Sequence, residues 1–345
     1  MKQKMKKILV TGGLGFIGIN LIHKLLKDKN IYVINIDKIS KHSNKNIKFN
    51  NNRYIFYKTN LLNKTALNNI LLKHRPEYIF HLAAESHVDR SIKNPNFFIN
   101  NNINATMNIL NGYKLLLDEG HKVLLHCIST DEIYGDLTLK QNAFTEKSSI
   151  LPNSPYSASK ASCDLLCRAY KKTYNIPILV TNCSNNFGPY QYPEKLIPFN
   201  LLNALNERDI LIYGDGKNIR DWIYVGDHVD VLIKIMKSKK MKYSNYNIGG
   251  NFEITNIELI LKICSKLNKL KKNTHLNKIL NSNIDYRSLI KFIKDRPGHD
   301  FRYAISNKLI QKEIDIKKII NRKKFETKLD YTINWYIKNH LSQKI

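Results

Sequence analysis

Cysteine is scarce in this sequence, with five residues among 345. Their number is odd and their spacing shows no paired framework, which excludes a disulfide-stapled secreted scaffold and favours reduced thiols in the cytoplasm. Cys163 and Cys167 share one helix face, but no histidine or second cysteine pair completes a zinc pattern, so we expect core packing and no bound metal. The five cysteines are Cys127, Cys163, Cys167, Cys183 and Cys264.

Long apolar runs are also missing, and no stretch approaches the roughly eighteen consecutive apolar residues that a transmembrane helix requires. Near the start, the apolar run Ile8–Val10 ends at glycines after three residues, which is too short for a signal peptide. We therefore expect no membrane segment and a cytoplasmic location.

Acidic residues are half as frequent as basic ones, 28 against 56, which leaves a net charge of +28. One interpretation is attraction to a polyanion such as nucleic acid. The other is compositional drift, because lysine, asparagine and isoleucine are abundant almost everywhere and the charge is spread along the chain. We favour drift and expect no nucleic-acid partner, although a modest attraction for an acidic substrate fits both interpretations.

Glycine is uncommon as well, yet three glycines cluster close to the start: Gly12, Gly15 and Gly18. They follow a short apolar strand and open an amphipathic helix, an arrangement that lets the backbone approach a pyrophosphate at a helix N-terminus. The next strand ends in Asp37, nineteen residues past Gly18, where a carboxylate would bind the adenosine ribose and repel a 2′-phosphate. A turn-rich loop is the alternative, but the combination predicts an NAD site.

Short apolar strands alternate with amphipathic helices through the first half of the chain. The predicted strands are residues 7–10, 31–36, 53–58, 78–82, 123–128 and 178–183, and the helices between them include 65–73, 101–117 and 155–174. This alternation predicts an α/β fold with a Rossmann-type, doubly wound parallel sheet. The alternation then weakens, so we predict an NAD-binding domain at 1–184, with a return strand near 222–248, and a smaller C-terminal α/β domain at 185–345.

Reactive side chains are concentrated around the fifth predicted strand and the helix that follows it. Thr130, Asp131 and Glu132 come directly after that strand, at the end where open α/β sheets place their ligands. Tyr156 and Lys160 are four residues apart in the helix, so they share a face, and an ammonium beside a phenol favours the phenolate. The segment thus offers a base for a hydroxyl proton together with an adjacent acid and base. Taken alone, the two carboxylates could equally be a helix cap or solvent-facing groups.

Several motifs together resemble the dTDP-glucose 4,6-dehydratases of the extended short-chain dehydrogenase/reductase superfamily. The glycine motif and Tyr-x-x-x-Lys are shared by the superfamily, whereas the Thr-Asp-Glu triplet marks the dehydratases, and Pro193–Pro198 and Asp295–Asp300 are typical of nucleotide-glucose members. The matching segments are Thr11–Gly18, His81–Ser91, Ile128–Gly135, Ser154–Ser162, Thr181–Pro198, Arg220–Tyr224, Tyr246–Gly250 and Asp295–Tyr303. They are distributed over nearly the full length of the chain.

The resemblance implies catalytic residues, NAD as the cofactor and a nucleotide-sugar substrate held largely by the C-terminal domain. The catalytic residues would be Thr130, Asp131, Glu132, Tyr156 and Lys160. Cofactor contacts would fall on Gly12, Gly15, Phe16, Ile17, Gly18, Asp37, Lys38, Leu82, Ala83, Ala84, Asn101, Tyr156, Lys160 and Asn186. Substrate contacts would fall on Ser86, Thr130, Asn185, Glu194, Lys195, Leu196, Tyr213, Arg220, Asn256, Asp295, Arg296, His299 and Tyr336. A homodimer formed through the helices predicted at 101–117 and 155–174 is implied as well.

Under this resemblance the reaction is an internal redox elimination of water from a hexose. Tyr156 would take the O4 proton, and Thr130 would hydrogen-bond the C4 oxygen. Glu132 would remove the C5 proton and Asp131 would protonate the departing O6. The product would be a 4-keto-6-deoxy sugar of the kind that leads to rhamnose.

Two other classes of function stay open at this point. The first is a sibling enzyme, either a 4,6-dehydratase for a UDP- or GDP-linked sugar or a 4-epimerase; Asp131 and Glu132 argue against an epimerase, which needs no acid–base pair at C5 and C6. The second is a non-catalytic NAD-binding regulator or nucleic-acid-binding protein, supported only by the net charge. The Tyr156–Lys160 pair argues against it, because a mere binder has no need of the pair.

Overall fold

The computed structural model describes residues 5–40, 43–238, 240–272, 280–281 and 283–344, with side chains described to residue 340. The strands are β1 (Lys6–Thr11), β2 (Ile31–Asp37), β3 (Tyr54–Lys58), β4 (Tyr78–His81), β5 (Leu124–Thr130), β6 (Ile178–Cys183), β7 (Asn185–Phe187), β8 (Ile210–Tyr213), β9 (Ile219–Tyr224), β10 (Asn245–Ile248), β11 (Glu253–Thr255) and β12 (Ile290–Ile293). The helices are α1 (Phe16–Leu25), α2 (Lys64–His74), α3 (Val88–Lys93), α4 (Pro95–Ile99), α5 (Ala105–Asp118), α6 (Pro155–Tyr174), α7 (Leu196–Leu205), α8 (Val225–Lys237), α9 (Asn256–Leu270), α10 (Lys308–Glu313) and α11 (Phe325–Lys344).

A parallel sheet in the order β10-β6-β5-β4-β1-β2-β3 confirms the predicted Rossmann-type fold. Each neighbouring pair in this sheet is parallel. The chain order reverses between β1 and β4, and in open α/β sheets the crevice at such a reversal is where ligands bind. The carboxyl ends of β1, β4, β5 and β6 therefore meet at one edge of the sheet, and the candidate residues follow them.

Apolar side chains are buried on both faces of this sheet, as expected when helices cover each side of parallel strands. Along β1 the side chains alternate, with Ile8 and Val10 in the cluster under α1 and α8, and Leu9 in the cluster under α2, α5 and α6. Ile310 of α10 joins the first cluster, so a segment late in the sequence helps to cover the sheet.

The helix α6 begins and ends where the sequence predicts, and its termini explain why. Ser154 accepts from Ser157 N and forms a capping box with it, while Pro155 occupies the first helical position, where its fixed φ is favourable. At the other end Asn175 adopts the left-handed conformation with φ +52°, which asparagine tolerates well as a helix stop. This capped helix holds Tyr156 and Lys160 in a defined position.

The predicted helix at 101–117 differs from the observed one at its start. Residues Asn100–Asn104 form a π-helical turn, and α5 continues from Ala105 to Asp118. Asn102 in this turn is buried, accepts from Glu85 N at 2.8 Å and donates to Glu85 O at 3.0 Å. The wider turn thus aims an amide into the loop after β4, which agrees with the frequent occurrence of π turns at functional sites.

The C-terminal part of the chain has its own apolar core beside the sheet β11-β9-β7 and the pair β12-β8. Phe187, Leu201, Ile212, Trp222 and Ile260 are buried in this core together with residues of α11. The strand β10 leaves this region and pairs with β6 at the edge of the main sheet. No helix in the described part of the chain is long and apolar enough to cross a membrane.

Candidate active site

The glycine loop between β1 and α1 packs so tightly that side chains are excluded at two positions. Gly12 has φ +71°, and a Cβ there would lie 2.8 Å from the Ala83 backbone. A Cβ on Gly18 would lie 2.3 Å from the carbonyl oxygen of Gly12. Because Gly15 is the N-cap of α1 and lines a cavity, the first backbone N–H groups of that helix face open space. This bare backbone at a helix N-terminus fits the pyrophosphate of a dinucleotide.

Gly18→Ala is expected to destabilise the protein by about 1–3 kcal/mol and to weaken NAD binding, because the new methyl group would displace Gly12 and Gly13. Thermal unfolding and an NAD titration measure the two effects. Gly120→Ala is the control: its φ of +71° adds backbone strain that is absent at Gly18, but a Cβ there meets no atom within 4 Å, so its NAD affinity should equal that of the wild type. Equal NAD affinity in the two variants would contradict the assignment of the loop.

Asp37 ends β2, as predicted, and its carboxylate organises the cofactor side of the cleft. Its Oδ2 accepts from Leu14 N at 3.1 Å, and its Oδ1 accepts from Ile39 N at 3.0 Å. Burial raises the pKa of this carboxyl, while these backbone donors act in the opposite direction. Asp37 therefore ties the glycine loop to the segment after β2, and it lines the cavity beside Lys38.

Thr130 is both the last residue of β5 and the N-cap of a short 3-10 helix, Asp131–Tyr134. Its Oγ1 accepts from Glu132 N and donates to Asp131 Oδ1, each at 3.3 Å. The side chain that caps this helix is thus that of Thr130, whereas the carboxylates of Asp131 and Glu132, for which a cap or a solvent-facing position was the alternative, line a cavity. One turn of helix directs both carboxylates into the cleft.

Tyr156 and Lys160 lie on the buried face of α6, each with 8% of its surface exposed. Lys160 Nζ donates to the carbonyl oxygen of Ile128 at 2.9 Å, so its ammonium is held against β5. Burial, and next the charge of Glu132, raise the pKa of Tyr156 well above its ordinary value, whereas a hydrogen bond with the Thr130 side chain lowers it. The net direction is opposite to the lowering predicted from the spacing, because burial is the largest cause of the shift.

The two carboxylates differ in their surroundings, as the sequence-based acid and base roles require. Burial, followed by the charges of Glu132 and Asp221, raises the pKa of Asp131 well above its ordinary value. Burial also raises the pKa of Glu132, but the nearby cations Arg296 and Lys195 pull it down. Asp131 is therefore the group that keeps a proton, and Glu132 is the group that ionises first.

Two adjoining cavities, with volumes of about 190 and 250 Å³, bring most of the predicted residues together. They share the glycine loop, Leu82, Ala84, Ser86 and Lys195. Predicted residues that line the first are Gly12, Gly15, Phe16, Asp37, Lys38, Leu82, Ala83, Ala84, Ser86, Asn101, Glu194 and Lys195. The second adds Ile17, Gly18, Thr130, Asp131, Glu132, Tyr156, Lys160, Asn185 and Asn186.

Some predicted substrate residues hold the protein's own backbone in this structure. The buried Arg220 donates to the carbonyl oxygens of Asp300 at 2.9 Å and Phe301 at 3.2 Å, and its guanidinium stacks on Tyr303. Tyr336 donates to the carbonyl oxygen of Gln191 at 2.6 Å, and Gln191 lines both cavities. Leu196 and Asn256 begin α7 and α9.

The remaining predicted residues form a polar cluster around Asp89. Tyr213 donates to Asp89 Oδ2 at 3.1 Å, and Arg296 lies 3.5 Å from Asp89 Oδ1. His299 is hydrogen-bonded to Asp295 at 2.6 Å, and its ring contacts that of Tyr213 edge-on. Burial and the charge of Arg296 lower the pKa of His299 to about 4. The cluster joins α3 to the C-terminal region at the cleft.

Sequence reasoning missed Glu85, in the loop after β4, and Arg90, in α3. Arg90 lines the first cavity and pairs with Glu194 at 3.0 Å and with Glu85 at 3.7 Å. Lys38 Nζ binds Glu85 Oε1 at 2.8 Å, so Glu85 lies between two cations. These residues fall inside the matching segment His81–Ser91, which was the available signal, but partners more than one hundred residues apart are invisible in a sequence.

The fold agrees with comparisons to known proteins. A model of the GDP-mannose 4,6 dehydratase family matches residues 9–327. A dTDP-glucose 4,6-dehydratase of Haemophilus influenzae is 43% identical over 98% of this chain and 100% of that protein. A dTDP-glucose 4,6-dehydratase 1 of Escherichia coli K12 is 41% identical over 96% of this chain and 93% of that protein.

Solved structures that are similar to this chain include the same kind of enzyme. The dTDP-glucose 4,6-dehydratase of Bacillus anthracis, in complex with NAD, has a TM-score of 0.81 at 38% identity, covering 97% of this chain and 98% of that chain. The corresponding enzyme DesIV of Streptomyces venezuelae, also with NAD bound, has a TM-score of 0.85 at 33% identity with the same coverage. This chain belongs to the dTDP-glucose 4,6-dehydratase family.

Proposed function

We propose that this chain converts dTDP-D-glucose to dTDP-4-keto-6-deoxy-D-glucose with NAD as its cofactor. The observation that carries the proposal is that Asp131 and Glu132 line one cavity with Tyr156 and have different surroundings. The pKa of Asp131 is raised well above its ordinary value, whereas nearby cations oppose the rise in the pKa of Glu132. An epimerase acting at C4 needs a tyrosine base but has no use for an acid and a base aimed at C5 and C6. The names of the relatives support the dTDP-linked substrate.

The cofactor would lie along the first cavity, with its pyrophosphate on the glycine loop of Gly12 and Gly15 and its adenosine ribose near Asp37 and Lys38. Bound NAD would accept a hydride from C4 of the sugar and return it to C6. The tight packing at Gly12 supports this placement, because it brings bare backbone to the wall of the cavity.

The first proton transfer belongs to Tyr156, acting as a base toward the O4 hydroxyl. Thr130 would hydrogen-bond the same oxygen, which is possible because its Oγ1 lies at the end of β5 in the same cavity. Lys160 holds a positive charge one helical turn from Tyr156 and stabilises the phenolate. A positioned general base of this kind contributes about 10²–10⁴-fold in rate.

Glu132 and Asp131 would then carry out the elimination. A keto group at C4 acidifies the C5 proton, and Glu132, whose carboxylate form is favoured by Arg296 and Lys195 against the effect of burial, removes it. Asp131, which retains its proton, donates it to O6 so that water departs. Glu132 afterwards returns its proton to C5 when the saturated sugar is restored.

The nucleotide part of the substrate would occupy the C-terminal region, which we propose as the sugar-nucleotide domain at 185–345. Lys195 and Arg296 are cations close enough to Glu132 to affect its ionisation, and they suit a diphosphate lying beside the hexose. Lys195 Nζ now donates to the carbonyl oxygen of Ser86 at 2.6 Å, which places it at the mouth of both cavities.

The test is incubation of the protein and NAD with dTDP-glucose, UDP-glucose, GDP-mannose and no sugar. We expect the 4-keto chromophore in alkali with dTDP-glucose, and loss of water in the product mass. Reaction with UDP-glucose or GDP-mannose alone would indicate a sibling dehydratase, and a C4 epimer without loss of water would indicate an epimerase. Binding of NAD without turnover of any sugar would favour a regulator.

We also propose that the enzyme acts in the cytoplasm. All five cysteines are free thiols and buried, and Cys127 and Cys167 lie with their sulfurs 3.4 Å apart without forming a disulfide. Such a pair is typical of a reducing compartment.

We further propose a homodimer formed through α5 and α6. On α6, Leu165 exposes 47% of its surface and Tyr174 exposes 45%, although that helix buries its opposite face against the sheet. Exposed apolar patches are typical of protein–protein interfaces, and a second copy of this chain would cover the outward face of α6.

Leu165→Asp is expected to convert the dimer to a monomer, because a carboxylate would be desolvated at the interface. Sedimentation velocity at micromolar concentration gives the mass of each species. Leu139→Asp is the control, since Leu139 is 67% exposed in a loop outside these helices. A monomeric wild type would contradict the proposed dimer.

A further inference from the structure

The segment Pro189–Tyr192 forms part of the wall of the cavity that we assign to the cofactor. Gln191 and Tyr192 line the first cavity together with Gly12 and Gly15 of the glycine loop. Gln191 also lines the second cavity. The cofactor cavity is therefore bounded by the glycine loop and by this segment, which we call the strap.

Three successive backbone carbonyl groups of the strap accept hydrogen bonds from side chains of three different parts of the protein. The donors lie in α1, in the segment after β2 and in α11. We call these bonds the latches, and together they fix the strap along its length. The donor and acceptor atoms are Asn20 Nδ2 and Pro189 O at 3.1 Å, Asn44 Nδ2 and Tyr190 O at 3.3 Å, and Tyr336 Oη and Gln191 O at 2.6 Å.

Two of the latches start from the part of the protein that would bind the pyrophosphate. Asn20 Nδ2 also donates at 2.9 Å to the carbonyl oxygen of Phe16, the first residue of α1. The backbone N–H of Asn44 donates at 3.0 Å to the carbonyl oxygen of Leu14 in the glycine loop. The strap is thus tied to the loop that it faces across the cofactor cavity.

The backbone of the strap is strained at Tyr190, whose φ is +70°, a conformation that is rare for a bulky side chain. Its ring stacks on that of His23 in α1, with centroids 5.8 Å apart, and meets Trp335 in α11 edge-on at 4.8 Å. Strained backbone persists only where the surroundings over-determine it, and it is concentrated at ligand clamps and switch regions. The latches and the two ring contacts supply this constraint, so the strap should open more readily when a latch is removed.

The proposed reaction requires the reduced cofactor to stay in place between two steps, because the hydride taken from C4 returns to C6 of the same sugar. We propose that the strap keeps the cofactor in the site between these two hydride transfers, and that Asn20, Asn44 and Tyr336 are positioning residues that hold the strap down. This inference rests on the proposed function.

The latches join protein atoms only, so they resist opening of the strap whether or not the cofactor is bound. Removing one latch should therefore speed both entry and exit of the cofactor by a similar factor, whereas loss of a direct contact with the cofactor would speed exit alone. The net contribution of one hydrogen bond corresponds to about a three- to tenfold change in rate.

Tyr336→Phe and Asn20→Ala test the strap, since each removes one latch. The readouts are the association rate of NADH, followed by its fluorescence in stopped flow, and its dissociation rate when excess NAD displaces it, both without sugar. We expect both rate constants to rise about three- to tenfold in each variant, with a nearly unchanged dissociation constant. In the double variant the two factors should multiply, because the donors lie on different helices.

The chain offers a matched control for each variant. Tyr331→Phe removes a phenol oxygen from the same helix, α11, at a residue that is 56% exposed. Asn206→Ala removes an amide that donates at 2.7 Å to the carbonyl oxygen of Leu202, four residues earlier, as Asn20 does toward Phe16. Both controls should keep the wild-type rate constants.

Turnover gives a second measurement. With dTDP-glucose and no free NAD, the activity of Tyr336→Phe and Asn20→Ala should decline over successive turnovers as reduced cofactor escapes, and added NAD should restore it. Wild type and the controls should keep their activity.

Wild-type rates of entry and exit in variants that thermal unfolding shows to be folded would overturn the strap. Faster exit with unchanged entry would also overturn it, since it would indicate a lost contact with the cofactor. The proposed function is judged separately, by whether the wild type converts dTDP-glucose, and the NADH measurements need no sugar.

Discussion

Tyr156→Phe is expected to lower single-turnover oxidation at C4 by about 10²–10⁴-fold, with little effect on folding, because it removes one oxygen from a residue that α6 positions independently. The hydroxyl is the group that takes the O4 proton, and no other phenol lines the second cavity in the described part of the chain. Formation of reduced cofactor, followed by absorbance after mixing with dTDP-glucose, measures the step.

The pH dependence of C4 oxidation distinguishes removal of the catalytic base from a general disturbance of the active site. Burial raises the pKa of Tyr156, so the wild-type oxidation rate should increase with pH as the phenolate forms. The variant should lose this increase. Tyr170→Phe is the control, since Tyr170 is on the same helix and donates to Asn111 at 2.8 Å away from both cavities. Oxidation by Tyr156→Phe at the wild-type rate would show that another residue is the base.

Glu132→Gln is expected to leave oxidation at C4 possible and to reduce elimination by about 10²–10⁴-fold. An amide has nearly the shape of the carboxylate but cannot accept the C5 proton, and C5 deprotonation is a separate step from oxidation. Exchange of deuterium into C5 in D₂O, followed by mass spectrometry of the sugar, should collapse together with product formation.

Protonation of Glu132 should also determine how the elimination rate of the wild type falls at low pH. Because burial raises the pKa of Glu132, its protonated and inactive form should persist to higher pH than for an exposed glutamate, and elimination should fall as pH decreases through that value. Glu146→Gln is the control, as its carboxylate is also half-buried and accepts from Asn247 N at 2.8 Å outside both cavities. Unchanged C5 exchange in Glu132→Gln would exclude it as the base.

Local sequence signals predicted the sheet and α6 well. The apolar run at 178–183 coincides with β6, and the Ser154–Pro155 start produced the predicted bounds of α6. Helix bounds were less accurate elsewhere, since the helix predicted at 65–73 begins at Lys64 and ends at His74. Apolar periodicity detects the buried face of a helix but not its first exposed turn.

Roles that depend on long-range contacts could not be predicted. The spacing of Tyr156 and Lys160 gives their proximity, but the burial that raises the tyrosine pKa comes from neighbours supplied by other elements. Likewise, Arg220 is predicted to contact the substrate, but the sequence does not reveal that its guanidinium donates to the backbone carbonyl oxygens of Asp300 and Phe301. The π turn that aims Asn102 at Glu85 has no sequence signature of its own.

The placement of β10 has a consequence for how the protein can be made or divided. The outermost strand beside β6 comes from Asn245–Ile248, after much of the C-terminal region has been synthesised. During synthesis, β6 therefore emerges before β10, the strand that pairs with its free edge. Until β10 is made, the unpaired backbone groups of β6 can pair with other chains. A gene fragment that stops at residue 184 should accumulate as aggregate, whereas one that includes Ile248 can close the sheet.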